Sequence, residues 1–240
     1  MMPVNCFVIK KNDILTLASL YSNTNKKKRK GENKLVYTFY ELCWFFLIYS
    51  FAGWCAGVVA NAISDGTDAI MLSGETAQGK YPVEALQMMV HIVESTEEHL
   101  EYDSILRKAE EHRMKSASSA LGHATVTTAT NLRAKCIITP TVSGATARVV
   151  SKFKPKTNII GVSPNEATLR RMQIYWGVQP LKSIEVTTTE DICTGAIDLV
   201  CAKQLAETGD IVILTAGIPS PNVGAQKSGF SNMMRIAIID

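Results

Sequence analysis

The sequence predicts an α/β protein whose C-terminal part holds a mostly parallel five-stranded sheet. From residue 58 onward, short apolar runs alternate with amphipathic stretches, which is the order of strands and helices in a parallel sheet. Apolar residues make up 46% of the chain and charged residues 20%, as in ordinary globular proteins. With 240 residues, the chain has room for one large domain or two small ones.

The first predicted strand is the apolar run from Asp68 to Leu72, which has the composition of a buried parallel strand. A helix is expected from Pro82 to about Leu100, because proline suits the first turn of a helix. Its apolar residues recur at the helical spacing i, i+3, i+4 and i+7, namely Leu86, Met89, Val90 and Val93.

A polar joint over residues 101–115 and a helix of small residues over 116–132 are expected next. The small side chains predict close packing of that helix against a neighbour. The remaining predicted strands are 136–139, 158–162, 178–181, 210–214 and 235–239, and the predicted helices between them are 145–153, 165–175 and 191–207.

The first 60 residues differ from the rest of the chain. They carry 8 Lys or Arg and 3 Asp or Glu, whereas residues 61–240 carry 17 and 19. The mild positive charge is therefore N-terminal and does not indicate a nucleic-acid-binding protein. Residues 1–34 are predicted as a polar, basic arm.

An apolar block runs from Leu35 to Ala60 and contains a single charge, Glu41. As a helix it would be about 39 Å long at roughly 1.5 Å per residue, enough to cross a bilayer core of about 30 Å. Residues 35–57 are therefore predicted as a hydrophobic, transmembrane-like helix with membrane contact. The alternative is a hydrophobic segment without a membrane role.

The six cysteines include no CxxC pair, and the four histidines are scattered. A structural zinc site or a disulfide framework is therefore not expected, and a reducing, cytoplasmic setting is the default. The chain also lacks the GxxxxGK[ST] and GxGxxG motifs, so neither a P-loop nor a dinucleotide site is predicted.

Candidate ligand-binding residues follow three of the predicted strands, because ligands of open α/β sheets bind beyond the carboxyl ends of strands. After the first strand, Ser73 and Glu75 offer a hydroxyl and a carboxylate. The alternative is a tight loop in which Glu75 pairs with an arginine.

A second loop, Thr139 to Thr146, offers four hydroxyls and a glycine just before a helix, an arrangement that suits a phosphate. Helix capping by Thr141 or Ser143 is the alternative. A third, long loop from Thr215 to Ser231 contains Lys227, and could either close over an anion or be an ordinary surface excursion.

Residues 58–240 resemble bacterial pyruvate kinases. The resemblance rests on long and specific runs: DGTDAIMLSGETA at 65–77, GKYPVEA at 79–85, ATVTTA at 124–129, TPTVSGAT at 139–146, WGV at 176–178, and GDIV with TAG at 209–217. The first 57 residues match nothing in that family, so the membrane-like segment is expected to be unrelated, joined either by a genuine fusion or by an error of gene assembly.

The resemblance implies a TIM barrel with a C-terminal α/β regulatory domain, and transfer of a phosphoryl group between phosphoenolpyruvate and ADP, giving pyruvate and ATP in glycolysis. It also implies Mg²⁺ and K⁺ as cofactors. Residues 58–100 resemble only the eighth barrel strand and its helix, and residues 101–240 the regulatory domain. No position matches the family's catalytic lysine or its metal ligands, and Ser73 and Glu75 alone correspond to its active-site face.

In the family, a sugar-phosphate or nucleotide effector binds the loop that Thr141, Ser143, Gly144 and Thr146 resemble, helped by the loop that contains Lys227 and Ser228. Family tetramers use this domain at a subunit interface, so a homo-oligomer is expected. Three interpretations stay open: a truncated pyruvate kinase that is inactive alone, a non-catalytic effector-binding module, and a membrane-anchored interaction protein.

Overall fold

The computed structural model describes residues 7–9, 57–111, 116–183, 189–217 and 231–240. These residues fall into two compact units, one within residues 1–100 and the other within residues 101–240.

Among the described residues, the first unit contains a two-stranded sheet and three helical segments. Strand β1 (Phe7–Ile9) pairs antiparallel with β2 (Ile70–Leu72), and residues 57–64 before β2 are helical. Helix α1 (Gly74–Ala77) follows β2 directly, and α2 (Pro82–Glu98) begins at the proline as predicted. Met89 and Val93 of the predicted stripe are the buried residues of α2.

The expectation of a buried parallel strand at residues 68–72 was wrong. Strand β2 is three residues long, its one partner among the described strands is antiparallel, and the Met71 side chain is 58% exposed. A buried parallel strand needs a parallel strand beside it, and the described partner of β2 is a single antiparallel strand.

The predicted polar joint at 101–115 was also wrong in part, because residues Tyr102–Glu111 form helix α3. Leu106 and Ala109, three positions apart, pack against the core of the second unit, while the charged residues around them remain exposed. Two apolar contacts on one face are enough to dock a helix whose composition is otherwise that of a solvated segment.

The second unit is built on a five-stranded sheet, and the predicted fold class is confirmed. The strands are β3 (Cys136–Pro140), β4 (Asn158–Ser163), β5 (Val178–Lys182), β6 (Ile211–Ala216) and β7 (Met233–Ile238), in the spatial order β5-β4-β3-β6-β7. The first four are mutually parallel, and β7 pairs antiparallel with β6 at one edge.

Helices cover both faces of this sheet. Helix α4 (Ala117–Asn131), α5 (Ala145–Ser151) and α6 (Glu166–Met172) supply one core cluster, which includes Val126, Val150 and Met172. Helix α7 (Thr189–Ala202) supplies the other through Cys193, Ala196 and Val200. Successive strand residues alternate between the two clusters, as the period of two in a strand requires.

Close packing of the small-residue helix is confirmed at Gly122 of α4. A methyl group built on Gly122 would lie 2.7 Å from Val149 Cγ1 and 3.1 Å from Phe153 Cε2, so a larger residue would fit between α4 and α5 only if these side chains shifted.

The predicted hydrophobic helix at 35–57 lies outside the described residues, apart from Gly57. Within the ranges that the structure describes, no helix is both long enough and apolar enough to cross a membrane.

Candidate ligand site at the carboxyl edge of the sheet

The strand order places one loop at the point where the chain changes direction across the sheet. From β3 the chain winds outward to β4 and β5 on one side, then returns past β3 to β6 on the other side. A crevice forms beyond the carboxyl ends of the strands at such a switch point, and ligands of open α/β sheets bind there. Residues 141–144, which follow β3, lie at this position.

The loop is held by the backbone and by Thr141. The Thr141 N–H donates to the Val162 carbonyl at 2.9 Å, which extends the β3–β4 pairing by one residue. The Gly144 N–H donates to Thr141 Oγ1 at 3.0 Å, and Gly144 itself has a φ of +81°, a conformation that favours glycine. Thr141 therefore closes the turn before α5, whereas the N-cap of α5 is Gly144 and has no side-chain capping bond, so the alternative of capping by Thr141 or Ser143 was wrong.

Thr146 is the second residue of α5 and is buried. Its Oγ1 accepts a hydrogen bond of 3.0 Å from the Ser231 hydroxyl, and the Ser231 N–H in turn donates to Ser118 Oγ at 3.2 Å. These bonds tie the start of α5 to the residues that lead into β7 and to the first turn of α4. Ser143, by contrast, is exposed at the tip of the loop.

Helix α6 braces the loop from the side. Thr168 Oγ1 donates to the Val142 carbonyl at 2.8 Å, and Arg171 Nη1 donates to the Ser143 carbonyl at 3.4 Å. A methyl group built on Gly144 would lie 3.2 Å from Met172 Cγ, so the loop packs directly on α6.

The structure therefore brings Thr141, Ser143, Gly144 and Thr146 together in one loop and at the start of the helix after it. The other two predicted effector residues, Lys227 and Ser228, lie outside the described residues. Thr168 and Arg171 were missed by sequence reasoning, because their contacts with the loop span 26 and 28 positions. Ser231 is the last residue of the third candidate loop, but its contact with Thr146, 85 positions away, was not predicted. Only the βαβ periodicity could have placed α6 beside the loop.

Ser73 and Glu75 come together in the first unit, at the start of α1. The Ser73 N–H donates to Glu75 Oε2 at 3.0 Å, and both residues are exposed. Among the described residues, no arginine forms an ion pair with Glu75; its carboxylate instead caps the first turn of its own helix.

No metal centre can be assembled from these residues. Within the described parts of the chain, no three side chains of His, Cys, Asp or Glu come close enough to hold an ion. The Glu75 carboxylate already accepts a bond from a backbone N–H, and Mg²⁺ sites use several oxygen ligands. The described residues therefore do not form a carboxylate cluster that fits the Mg²⁺ used by the family.

Fold and loop together define the class: a doubly wound α/β domain with a hydroxyl-bearing loop at its switch point. The family model described as "Pyruvate kinase, alpha/beta domain" matches residues 119–237, and that described as "Pyruvate kinase, barrel domain" matches residues 56–86. Through these two regions the chain belongs to the pyruvate kinase family, a family of phosphotransferases.

Bacterial pyruvate kinases are similar to the chain over the same region. The enzyme of Geobacillus stearothermophilus is 44% identical over 184 residues, which are 77% of this chain and 30% of that protein. The Clostridium acetobutylicum enzyme is 39% identical over 185 residues, 77% of this chain and 38% of the relative. A Staphylococcus aureus enzyme is 40% identical over 184 residues, with shares of 77% and 31%. The chain thus spans about a third of the length of these relatives.

Proposed function

We propose that this chain is the regulatory part of a pyruvate kinase and that its α/β domain binds a phosphorylated small molecule, a sugar phosphate or a nucleotide, at Thr141–Thr146. In the whole enzyme, the reaction would be phosphoryl transfer between phosphoenolpyruvate and ADP in the cytoplasm. The observation that carries the proposal is the position of this loop, beyond the carboxyl end of the central strand at the switch point of the sheet.

The hydrogen-bond directions in the loop support a phosphate as the ligand. Thr141 Oγ1 accepts from the Gly144 N–H, and Thr146 Oγ1 accepts from the Ser231 hydroxyl. A hydroxyl that accepts a bond still has its own hydrogen to donate. The half-buried Thr141 can therefore donate to an oxygen of a phosphate, and the exposed Ser143 hydroxyl is a second donor, whereas the Thr146 hydroxyl is buried.

We propose further that the chain alone does not catalyse the reaction. Ser73 and Glu75 are its only counterparts of the family's active-site face, and Glu75 already caps α1. Catalysis of phosphoryl transfer rests on cations that offset the charge of the transferring group, and the described residues offer no cluster of ligands for them.

The test is a thermal melt of the full chain with glucose 6-phosphate or AMP, compared with glucose and adenosine at the same concentrations. A ligand at about 100 times its Kd should stabilise the domain by about 2.7 kcal/mol. We expect a shift with a phosphorylated compound and none with its unphosphorylated form. Equal melting temperatures in all four solutions would refute the binding proposal, and pyruvate formation from phosphoenolpyruvate and ADP would refute the proposal that the chain is inactive alone.

A second copy of the chain is the partner that the edge of the sheet favours. Strand β7 has one described strand neighbour, β6, and its Ile236 and Ile238 side chains lie on the same face, 50% and 65% exposed. An exposed strand edge with apolar side chains is a template for pairing with another strand. We expect a dimer in sedimentation, and a monomer for Ile236→Lys with Ile238→Lys.

Membrane association through residues 35–57 is a separate proposal that rests on the sequence pattern alone. Resistance of the expressed chain to carbonate extraction would support it. Complete release into the supernatant would refute it.

A further inference from the structure

We infer that Arg171 supplies the positive charge of the phosphate site at the loop 141–144. The inference rests on the proposed function and adds a residue outside the loop itself. The side chains from Thr141 to Thr146 are hydroxyl, aliphatic or absent, so the loop carries no charge of its own. A phosphate is recognised most strongly by charge-assisted hydrogen bonds.

Helix α6 directs one face toward the loop. Thr168, Arg171 and Met172 have the spacing i, i+3 and i+4, which places them on the same side of a helix. Thr168 Oγ1 bonds the Val142 carbonyl at 2.8 Å and is buried, and Met172 is fully buried beneath Gly144. These two contacts fix the position of α6 relative to the loop, and with it the position of the Arg171 Cα atom.

The Arg171 guanidinium is available for a ligand. Its bond to the Ser143 carbonyl is 3.4 Å long, well beyond the usual 2.9–3.0 Å of such bonds, and it occupies one of five N–H donors. Arg171 is exposed and pairs with no carboxylate among the described residues. An incoming phosphate can therefore take a bidentate pair of N–H groups at little cost in existing contacts.

Arg170 provides the matched control on the same helix. It is the preceding residue and is 72% exposed at its side chain, but its Nη1 lies 3.9 Å from Glu166 Oε2, which belongs to the exposed side of α6. The two arginines contribute the same net charge to the domain. Only Arg171 contacts the loop.

The experiment is calorimetric titration of the full chain with glucose 6-phosphate and with AMP. Variants Arg171→Gln, Arg171→Lys and Arg170→Gln are compared with the original chain. Loss of one charge-assisted pair should weaken the Kd of Arg171→Gln by about tenfold or more. We expect Arg171→Lys in between, because lysine keeps the charge but loses the planar fork, and Arg170→Gln within about twofold of the original.

Two further readouts separate ligand contact from a structural role. The melting temperature without ligand should be equal in Arg171→Gln and Arg170→Gln, because both side chains are exposed. Raising the salt concentration should weaken binding to the original chain more steeply than binding to Arg171→Gln.

The outcomes distinguish this inference from the proposed function. If the original chain binds a phosphorylated compound and Arg171→Gln binds it equally well, the inference is overturned and the proposed function stands. Equal losses in Arg171→Gln and Arg170→Gln would also overturn the inference, because they indicate net charge alone. Absence of binding to the original chain would overturn both.

Discussion

The loop at the switch point depends on Gly144, and substitution by alanine tests that dependence. Gly144 has a φ of +81°, and a left-handed conformation costs an L-residue about 1–2 kcal/mol. The added methyl group would also lie 3.2 Å from Met172 Cγ and 3.5 Å from Thr168 Cγ2. Met172 is fully buried and cannot swing into solvent, so the crowding adds about 1 kcal/mol.

Gly177 separates these two contributions. It also has a positive φ, +62°, but no atom lies within 4 Å of a methyl group built there. Gly177→Ala should therefore lose only the conformational part, about 1–2 kcal/mol. Gly144→Ala is expected to be about 1 kcal/mol less stable than Gly177→Ala.

Urea unfolding of the full chain measures the difference. With a slope of about 1–3 kcal/mol per molar urea, 1 kcal/mol moves the midpoint of the larger unit by about 0.5 M. Gly144→Ala should also bind glucose 6-phosphate more weakly than Gly177→Ala does, because movement of residue 144 away from Met172 would displace the backbone N–H that orients the Thr141 hydroxyl. Equal midpoints for the two variants would refute the packing of the loop on α6.

Three further predictions concern the supports of the site. Alanine usually stabilises a helix relative to glycine. Gly122→Ala should nevertheless lower the free energy of unfolding in urea by about 1–2 kcal/mol, because the added methyl group would lie 2.7 Å from Val149 Cγ1. A more stable variant would contradict the close packing of α4 on α5. Ser231→Ala should lower the free energy of unfolding by about 1–2 kcal/mol, because it removes a buried hydroxyl that is bonded to Thr146. As a control, substitution of the exposed Thr208 by alanine should change the free energy of unfolding by no more than about 0.5 kcal/mol. Equal effects of the two substitutions would argue against the Thr146 contact. Burial, and to a smaller extent Asp210, raises the pKa of the Cys136 thiol from 9.0 to about 12, so the folded chain keeps a proton that the unfolded chain loses. The free energy of unfolding should therefore fall as the pH rises above about 9, and Cys136→Ala should have a shallower decline; parallel curves would refute burial of an ionisable thiol in the core.

Local patterns in the sequence were sufficient for much of the second unit. The continuous apolar runs of β3, β4 and β6 are the signature of strands covered on both faces, and the hydroxyls and glycine of the β3–α5 loop marked the candidate site. Local sequence patterns did not predict the antiparallel pairing of β2 or the packing of α3 on the core of the second unit. Both depend on which neighbours cover a segment, and Leu106 and Ala109 become informative only once the core that receives them is known.

The same limit applied inside the site. Thr141 and Gly144 interact across three positions, so their contact follows from local turn chemistry. Arg171 and Ser143 are 28 positions apart in the sequence. They meet because α5, β4 and α6 follow one another in the fold and bring α6 beside the loop after β3. The βαβ periodicity can place α6 beside the loop, but it does not identify Arg171, and residues 141–146 themselves carry no charge.

Hydrogen exchange of the backbone amides, with and without glucose 6-phosphate or AMP, is the most direct test of the central claim that a phosphorylated ligand binds at the switch point. We predict slower exchange over residues 141–148 with a phosphorylated compound, and no change with glucose or adenosine. Unchanged exchange in this segment, or protection confined to the first unit around Ser73 and Glu75, would contradict the account.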